Sequence, residues 1–256
     1  MRVARLLALG WLFHLKLLSR SAFDGVLNVL WPLFFATTAF LMYRVSGDQR
    51  TLLYASLGAS VMGVWSSTSV AASSALQRER WFGTLELLVV APRNLGLILL
   101  PITLAASTIG LYCVAGTLLW ARILFGIHIS IIHPLFFALG LFGEVLTIAA
   151  LGFLMAVSFV GSRRAWAIGA ALEYPIWLVC GFLVPVSLLP GWAHPISWVL
   201  GPTWGMRTIR EAAYGGAPLG PLALTLGLAA VYLGVGVLVL RVVLDSARKR
   251  ATLSLA

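Results

Sequence analysis

Residues 77–94 read QRERWFGTLELLVVAPRN, a charged, amphipathic island set between two long apolar runs. Built as a helix, it places Trp81, Leu85, Leu88 and Val89 at i, i+4, i+7 and i+8, which makes one apolar stripe. Arg78, Glu79, Thr84 and Glu86 fall off that stripe, where water or another protein can meet them. Pro92 has no N–H to donate and disfavours α backbone at Ala91, so the helix ends there. The stretch reads as a cytoplasmic docking element, and the rest of the chain as a membrane machine driven through it.

Composition sets the same frame. The chain has 256 residues, 61% of them apolar and only 10% charged, with a mean hydropathy of +0.99. Soluble domains carry about 25% charged residues, so the fold class expected is an all-α integral membrane protein with little room for a soluble domain. The formal net charge of +10 does not point to nucleic acid, because the cations cluster in the gaps between apolar runs. That distribution suits membrane topology and anionic headgroups. Cys113 and Cys180 both lie inside apolar runs, as buried thiols rather than metal ligands or a disulfide framework.

Residues 1–22 begin with a basic, amphipathic segment in which Arg2, Arg5, Lys16 and Arg20 share an arc of roughly 60° on a helical wheel. No small-x-small cleavage site follows, so an interfacial helix on the inner leaflet is expected rather than a signal peptide. Six spans are expected at 25–43, 52–76, 95–120, 131–160, 165–184 and 221–243. The second repeats small residues every four positions (Ala55, Ala59 and Gly63; Ser56 and Ser60), so it is expected inside the bundle. Its later half carries Ser66, Ser67, Thr68, Ser69, Ser73 and Ser74, polar enough either to line a pathway or to hydrogen-bond between helices. The fourth exceeds the roughly 20 residues a crossing needs, so tilt, or a break near Gly140 and Gly143, is expected. Between spans five and six, Pro185, Pro190, Pro195, Pro202 and Pro218 forbid a long helix while Trp192, Trp198 and Trp204 keep the segment apolar. A re-entrant hairpin over 185–204 fits both facts.

Six spans put both termini on one side. With the N-terminus inside, thirteen of the eighteen Lys and Arg are cytoplasmic and five (Arg44, Arg50, Arg122, Arg207, Arg210) lie outside. The bias favours N-in, C-in at the cell membrane and puts the island in the cytoplasm between spans two and three.

With these elements in place, the chain resembles the permease subunits of type-2 ABC exporters. The resemblance is carried by Arg78-Glu79-Arg80 followed by Gly83-Thr84-Leu85-Glu86-Leu87-Leu88 and Ala91-Pro92. It is carried also by Gly181 to Pro185 with Leu189-Pro190, Trp192, Pro202-Thr203-Trp204, Arg207 and Arg210-Glu211, and by six spans behind a basic amphipathic helix. Trp81-Phe82 departs from the more polar pair expected before Gly-Thr. The resemblance implies that residues 77–92 form the coupling helix on an ABC ATPase subunit, with Arg78, Glu79 and Glu86 as contacts. It further implies a second permease, identical or different, with spans one, two and five near the shared pathway. Residues Pro185, Pro190, Trp192 and Pro202 would belong to an extracellular hairpin capping that pathway.

The chain carries no G-x-x-x-x-G-K-[ST] loop, so an ATPase, with its ATP and magnesium, is expected on a separate polypeptide and no enzymatic activity in this one. Two acids stand in apolar runs. Glu144 and Glu173 each cost about 2.5–3.5 kcal/mol at a bilayer centre and so need a partner, a proton or water. Either is part of the pathway, or is a protonated acid bonded to the hydroxyls of span two; the second reading is preferred for Glu144. The histidines show no metal-ligand pattern, the tryptophans read mainly as headgroup-level anchors, and no nucleophile triad is legible. A lipophilic or amphiphilic cargo (drug, lipid or glycan conjugate) leaving the cell is the function expected. The alternatives are a proton- or ion-coupled carrier using Glu144 and Glu173, for which no repeated halves are visible, and a membrane enzyme acting on lipid-linked substrates.

Overall fold

The computed structural model describes residues 2–20, 30, 33–34, 36–42, 48–81, 95–160, 162 and 164–250. Within them the secondary structure is helical, with no strand. The helices are α1 (Arg2–Arg20), α2 (Gln49–Trp81), α3 (Gly96–Phe125), α4 (Pro134–Ser158), α5 (Ala165–Val179), α6 (Ala193–Val199), α7 (Gly201–Tyr214) and α8 (Leu219–Arg250), with a 3-10 turn at Val186–Leu188.

The small-residue second span sits at the centre, as its sequence implies. α2 packs against α3, α4, α5 and α7, and residues 52–65 are buried apart from Tyr54. Its neighbours reach it through glycines: a Cβ at Gly110 of α3 would lie 2.5 Å from Val64 Cα, and one at Gly152 of α4 would lie 2.6 Å from Thr68 Cγ2. A Cβ at Gly169 of α5 would lie 2.7 Å from Ser73 Cβ. Close backbone approach is how helices gain contact where lipid offers no hydrophobic drive. At 33 residues α2 is about 50 Å long, well beyond the hydrocarbon thickness. It continues unbroken through Trp81, so the first residues of the island extend the second span. Of Arg78, Glu79 and Arg80 only the helical backbone is described, and Gly83, Thr84, Leu85 and Glu86 lie outside the described residues.

Asp48 starts α2. Its carboxylate accepts from the Arg50 N–H at 3.0 Å and from the Thr51 hydroxyl at 2.7 Å and N–H at 3.2 Å. These bonds, the Thr51 hydroxyl first, hold the Asp48 carboxyl below its ordinary pKa.

Among the described residues three helices are long and apolar enough to cross a membrane: 96–125, 134–158 and 219–245. The last is the most exposed. It turns Pro221, Thr225, Ala229, Tyr232, Gly236 and Leu240 inward toward α4 and leaves Leu224, Val231, Val235, Leu238 and Val242 facing out. α1 lies against α3, where the Trp11 indole N–H donates to the Thr108 hydroxyl at 3.2 Å, and it exposes Val3, Leu6, Phe13 and Leu17 on another face. Of the first span, residues 25–29, 31–32, 35 and 43 fall outside the described residues. Its helical stretch 36–42 meets the end of α3 through Trp120 donating to Thr37 at 3.0 Å and through Phe40 against Phe125.

Several expected boundaries move. The third span runs on to Phe125, so Arg122 is helical rather than in a loop. The fourth is one continuous helix beginning with Pro134 in its first turn, and neither Gly140 nor Gly143 breaks it. Both are contact points, Gly140 against Thr208 and Ile209 and Gly143 against Leu222 and Thr225. The fifth ends at Val179, not 184, because Gly181 takes φ +74° and closes the helix. Its N–H donates to Leu178 O at 3.0 Å, and that of Phe182 donates to Trp177 O at 3.1 Å. The segment placed at 185–204 continues to Tyr214, since Pro202 falls in the first turn of α7, where its missing N–H costs nothing. Arg207 and Arg210 are therefore on a helix. Trp65 and Trp177 are wholly buried and are not interface anchors.

Candidate functional site

Three polar clusters are built where these helices meet. The first is at the α2–α5 contact. Most hydroxyls of the second span donate back to carbonyls of their own helix, as Ser73 does to Ser69 O at 2.8 Å and Thr68 to Val64 O at 2.8 Å. Two also tie helices together: Ser67 donates to Ala106 O at 3.0 Å and Ser69 to Gly169 O at 3.3 Å. Ser67 and Ser73 are buried within the chain. Ser66 points elsewhere, and its hydroxyl donates to the Glu173 carboxylate of α5. Ser66, Val70 and Ser74 follow one another at every fourth residue and are the incompletely covered edge of α2, while α5 beside them exposes Trp166, Leu172 and Tyr174. Of the pathway candidates, Ser66 and Glu173 are brought together at this open edge; Ser67 and Ser73 are not on it.

The second cluster is the α4–α7 seam. Ile132 and His133 N–H groups donate to Ala213 O at 3.3 Å and Ala212 O at 2.9 Å, which sets the two helices antiparallel. Gly140 then faces Thr208, Glu144 faces Gly205 and Thr147 faces Gly201. Glu144 is 1% exposed, and neither carboxyl oxygen has a hydrogen-bond partner among the described residues. The expected bond from Glu144 to the hydroxyls of span two is not made, because Glu144 faces α7. The acid that a span-two hydroxyl serves is Glu173. Next to the seam, Tyr232 of α8 accepts the Gly201 N–H at 2.7 Å and donates its hydroxyl to Val199 O. Thus the break at Leu200 between α6 and α7 is held by the last helix.

The third cluster was not foreseen from sequence. Arg210 of α7 donates from Nη1 to the Tyr54 hydroxyl and to Gly181 O, both at 2.6 Å, and from Nη2 to Phe182 O at 2.8 Å. Its guanidinium stacks 3.3 Å from the centre of the Tyr54 ring. One side chain therefore joins α2, the turn after α5, and α7. The turn approaches so closely that Gly58 of α2 has no room for a Cβ against the Phe182 carbonyl. Trp192 is exposed, Pro190 is the residue before the Gly191 turn, and Pro185 precedes the 3-10 turn. An arginine in an apolar stretch, one turn from a second arginine, was the available signal, but its partners are about 30 and 156 residues away.

Lysine at position 210 keeps the charge but cannot fork to two carbonyls. R210K is expected to cost about 1.5–3 kcal/mol, the worth of a hydrogen bond to a charged group. The thermal midpoint of the detergent-solubilised protein, followed by fluorescence-detected size exclusion, checks this.

Among the described residues no group of three or more His, Cys, Asp or Glu is placed to hold a metal ion. Residues 6–214 match the family described as ABC-2 type transporter, a match that takes in α1, α2, the island and α3 to α7. No curated protein matches the chain.

Proposed function

The chain belongs to the ABC-2 type transporter family as a transmembrane permease subunit, and on that premise we propose that it exports a lipophilic or amphiphilic substrate from the cytoplasm or inner leaflet, powered by ABC ATPase subunits on separate chains. The family match over 6–214 carries this reading, because it joins the island to the Arg210 segment in one unit. Six crossings with both termini in the cytoplasm suit the charge bias. Residues 77–92 act as the coupling helix, with Arg78, Glu79, Arg80, Gly83, Thr84, Leu85 and Glu86 at or beside the ATPase contact. ATP and magnesium act in the partner ATPase, and this chain performs no hydrolysis itself.

The shape of α2 supports a mechanism. One unbroken helix runs from the Tyr54–Arg210 contact to the start of the island at Gln77, about 35 Å away at 1.5 Å per residue. A push on the island reaches the α7 segment as a rigid-body tilt of α2, without any intermediate link. A second permease, the same chain or a different one, packs across the open edge of α2 and α5, so that Ser66 and Glu173 border the pathway and the 185–214 segment caps it.

Co-reconstitution with the ATPase in liposomes is expected to give outward movement of a fluorescent amphiphile that needs ATP and is indifferent to a proton gradient. Movement driven by a proton gradient without ATPase would establish the carrier reading instead. In the same assay Glu173→Gln, which can still accept the Ser66 hydroxyl but removes the acid, is expected to lower transport by about tenfold. Full transport across a range of pH would remove the Glu173 charge from the pathway.

A further inference from the structure

A pocket of about 230 Å3 lies where α6 and α7 meet the first turns of α2. Tyr54, Trp198 and Trp204 form its aromatic walls, and Arg207, Arg210 and Glu211 are its charged groups. The two indoles meet edge to face at 6.0 Å, fixed by the Trp204 N–H donating to Trp198 O at 3.0 Å. The Arg207 guanidinium lies 5.7 Å from the centre of the Trp204 ring and pairs with Glu211 at 2.7 Å.

The two arginines are committed differently. Arg210 is bound to backbone carbonyls on both sides of its fork. The Arg207 side chain is 59% exposed and its pair with Glu211 is an i, i+4 surface contact, which holds it by no more than about 1 kcal/mol. Arg207 can therefore turn from Glu211 to an incoming carboxylate or phosphate, which its planar fork fits bidentately. The formal charges of the three residues leave the pocket with one positive charge. Its volume is below the roughly 300–1,000 Å3 that receives a whole drug-sized ligand, so it takes a head rather than an entire molecule. Beside it, Trp198 and Val199 on α6 and Trp192 just before it are 68, 65 and 70% exposed, an apolar track for the remainder.

We propose that this pocket binds the head of an anionic amphiphile, a carboxylate or phosphate borne on an apolar chain, with Arg207 as the anion ligand, the indoles against the neck and the chain along α6. Where the amphiphile is cargo, the site is its exit station and the inference rests on the exporter reading; the binding chemistry itself does not depend on it.

The test uses the permease purified with its ATPase in phosphatidylcholine nanodiscs, and decyl phosphate carrying a diazirine as the probe. Photolysis and peptide mapping are expected to place the label within residues 192–211. R207Q, at an exposed position that leaves the thermal midpoint unchanged, is expected to reduce labelling about tenfold, equivalent to one hydrogen bond to a charged group. R207K is expected to retain part of it, and neutral decanol not to compete. Competition by phosphatidylglycerol placed in the disc marks a bilayer lipid as the natural source. Competition by soluble decyl phosphate alone marks a transported amphiphile. Labelling that ignores R207Q, or that decanol displaces equally, overturns the site. ATPase co-elution is read on the same sample, so lost labelling with the ATPase still bound counts against the pocket, and a lost ATPase counts against the exporter reading.

Discussion

Gly58→Ala is expected to destabilise the protein by about 3 kcal/mol, at the upper end of what one added methyl does in a packed core. A Cβ there would fall within the carbonyl of Phe182 and lie 2.8 Å from Arg210 Nη2. A side chain can rotate away from such a clash, but a carbonyl held by Arg210 cannot. Either α2 moves away from the turn after α5, or Phe182 O loses its donor. The first loosens the central helix and the second leaves a polar group unpaired, at about 1–3 kcal/mol. Gly227→Ala is the control. That glycine sits within α8 with nothing within 4 Å of an added Cβ, so alanine there is expected to be neutral or to stabilise by up to about 1 kcal/mol. Thermal midpoints of the two variants, taken side by side, separate a specific seat from a general dislike of added methyls. Equal behaviour would mean that the turn does not press on α2.

The α4–α7 seam yields the second large effect. Gly205→Ala puts a methyl into the Glu144 carboxyl and is expected to cost about 2–3 kcal/mol by overpacking. With Glu144 already replaced by alanine, the same change is expected to cost less than about 1 kcal/mol, because the atoms it strikes are gone. The coupling energy of that double-mutant cycle, above about 1 kcal/mol, measures the contact directly. Additive effects would mean that Glu144 does not pack on Gly205, and so does not seat the 201–214 helix.

What the sequence could and could not disclose follows from the range of each interaction. The central position of α2 was legible, because Ala55, Ala59 and Gly63 recur at helical spacing and such a face has one use in a bundle. The family signature was legible in the island and in the Gly181–Glu211 segment, and the match over 6–214 bears it out. Helix ends were less so. The closure at Gly181 is a local pattern, a glycine followed by Pro185, that reading by hydropathy alone carried past. The partner of each buried acid was hidden for a different reason. A hydroxyl-rich span announced that an acid would bond to it, but Ser66 found Glu173, not Glu144, and that choice depends on the register of α5 against α2. The Arg210 cluster was hidden because nothing local shows that Tyr54, Gly181 and Phe182 converge on it.

The island remains the centre of the functional reading, and its test is assembly. Glu79→Lys with Glu86→Lys, in the full-length permease expressed with its ATPase, reverses two charges that lie off the apolar stripe of the island. The expected result is a permease that still reaches the membrane and keeps its thermal midpoint, but from which the ATPase no longer co-purifies. A permease that binds its ATPase as tightly as before would contradict the docking role of residues 77–92.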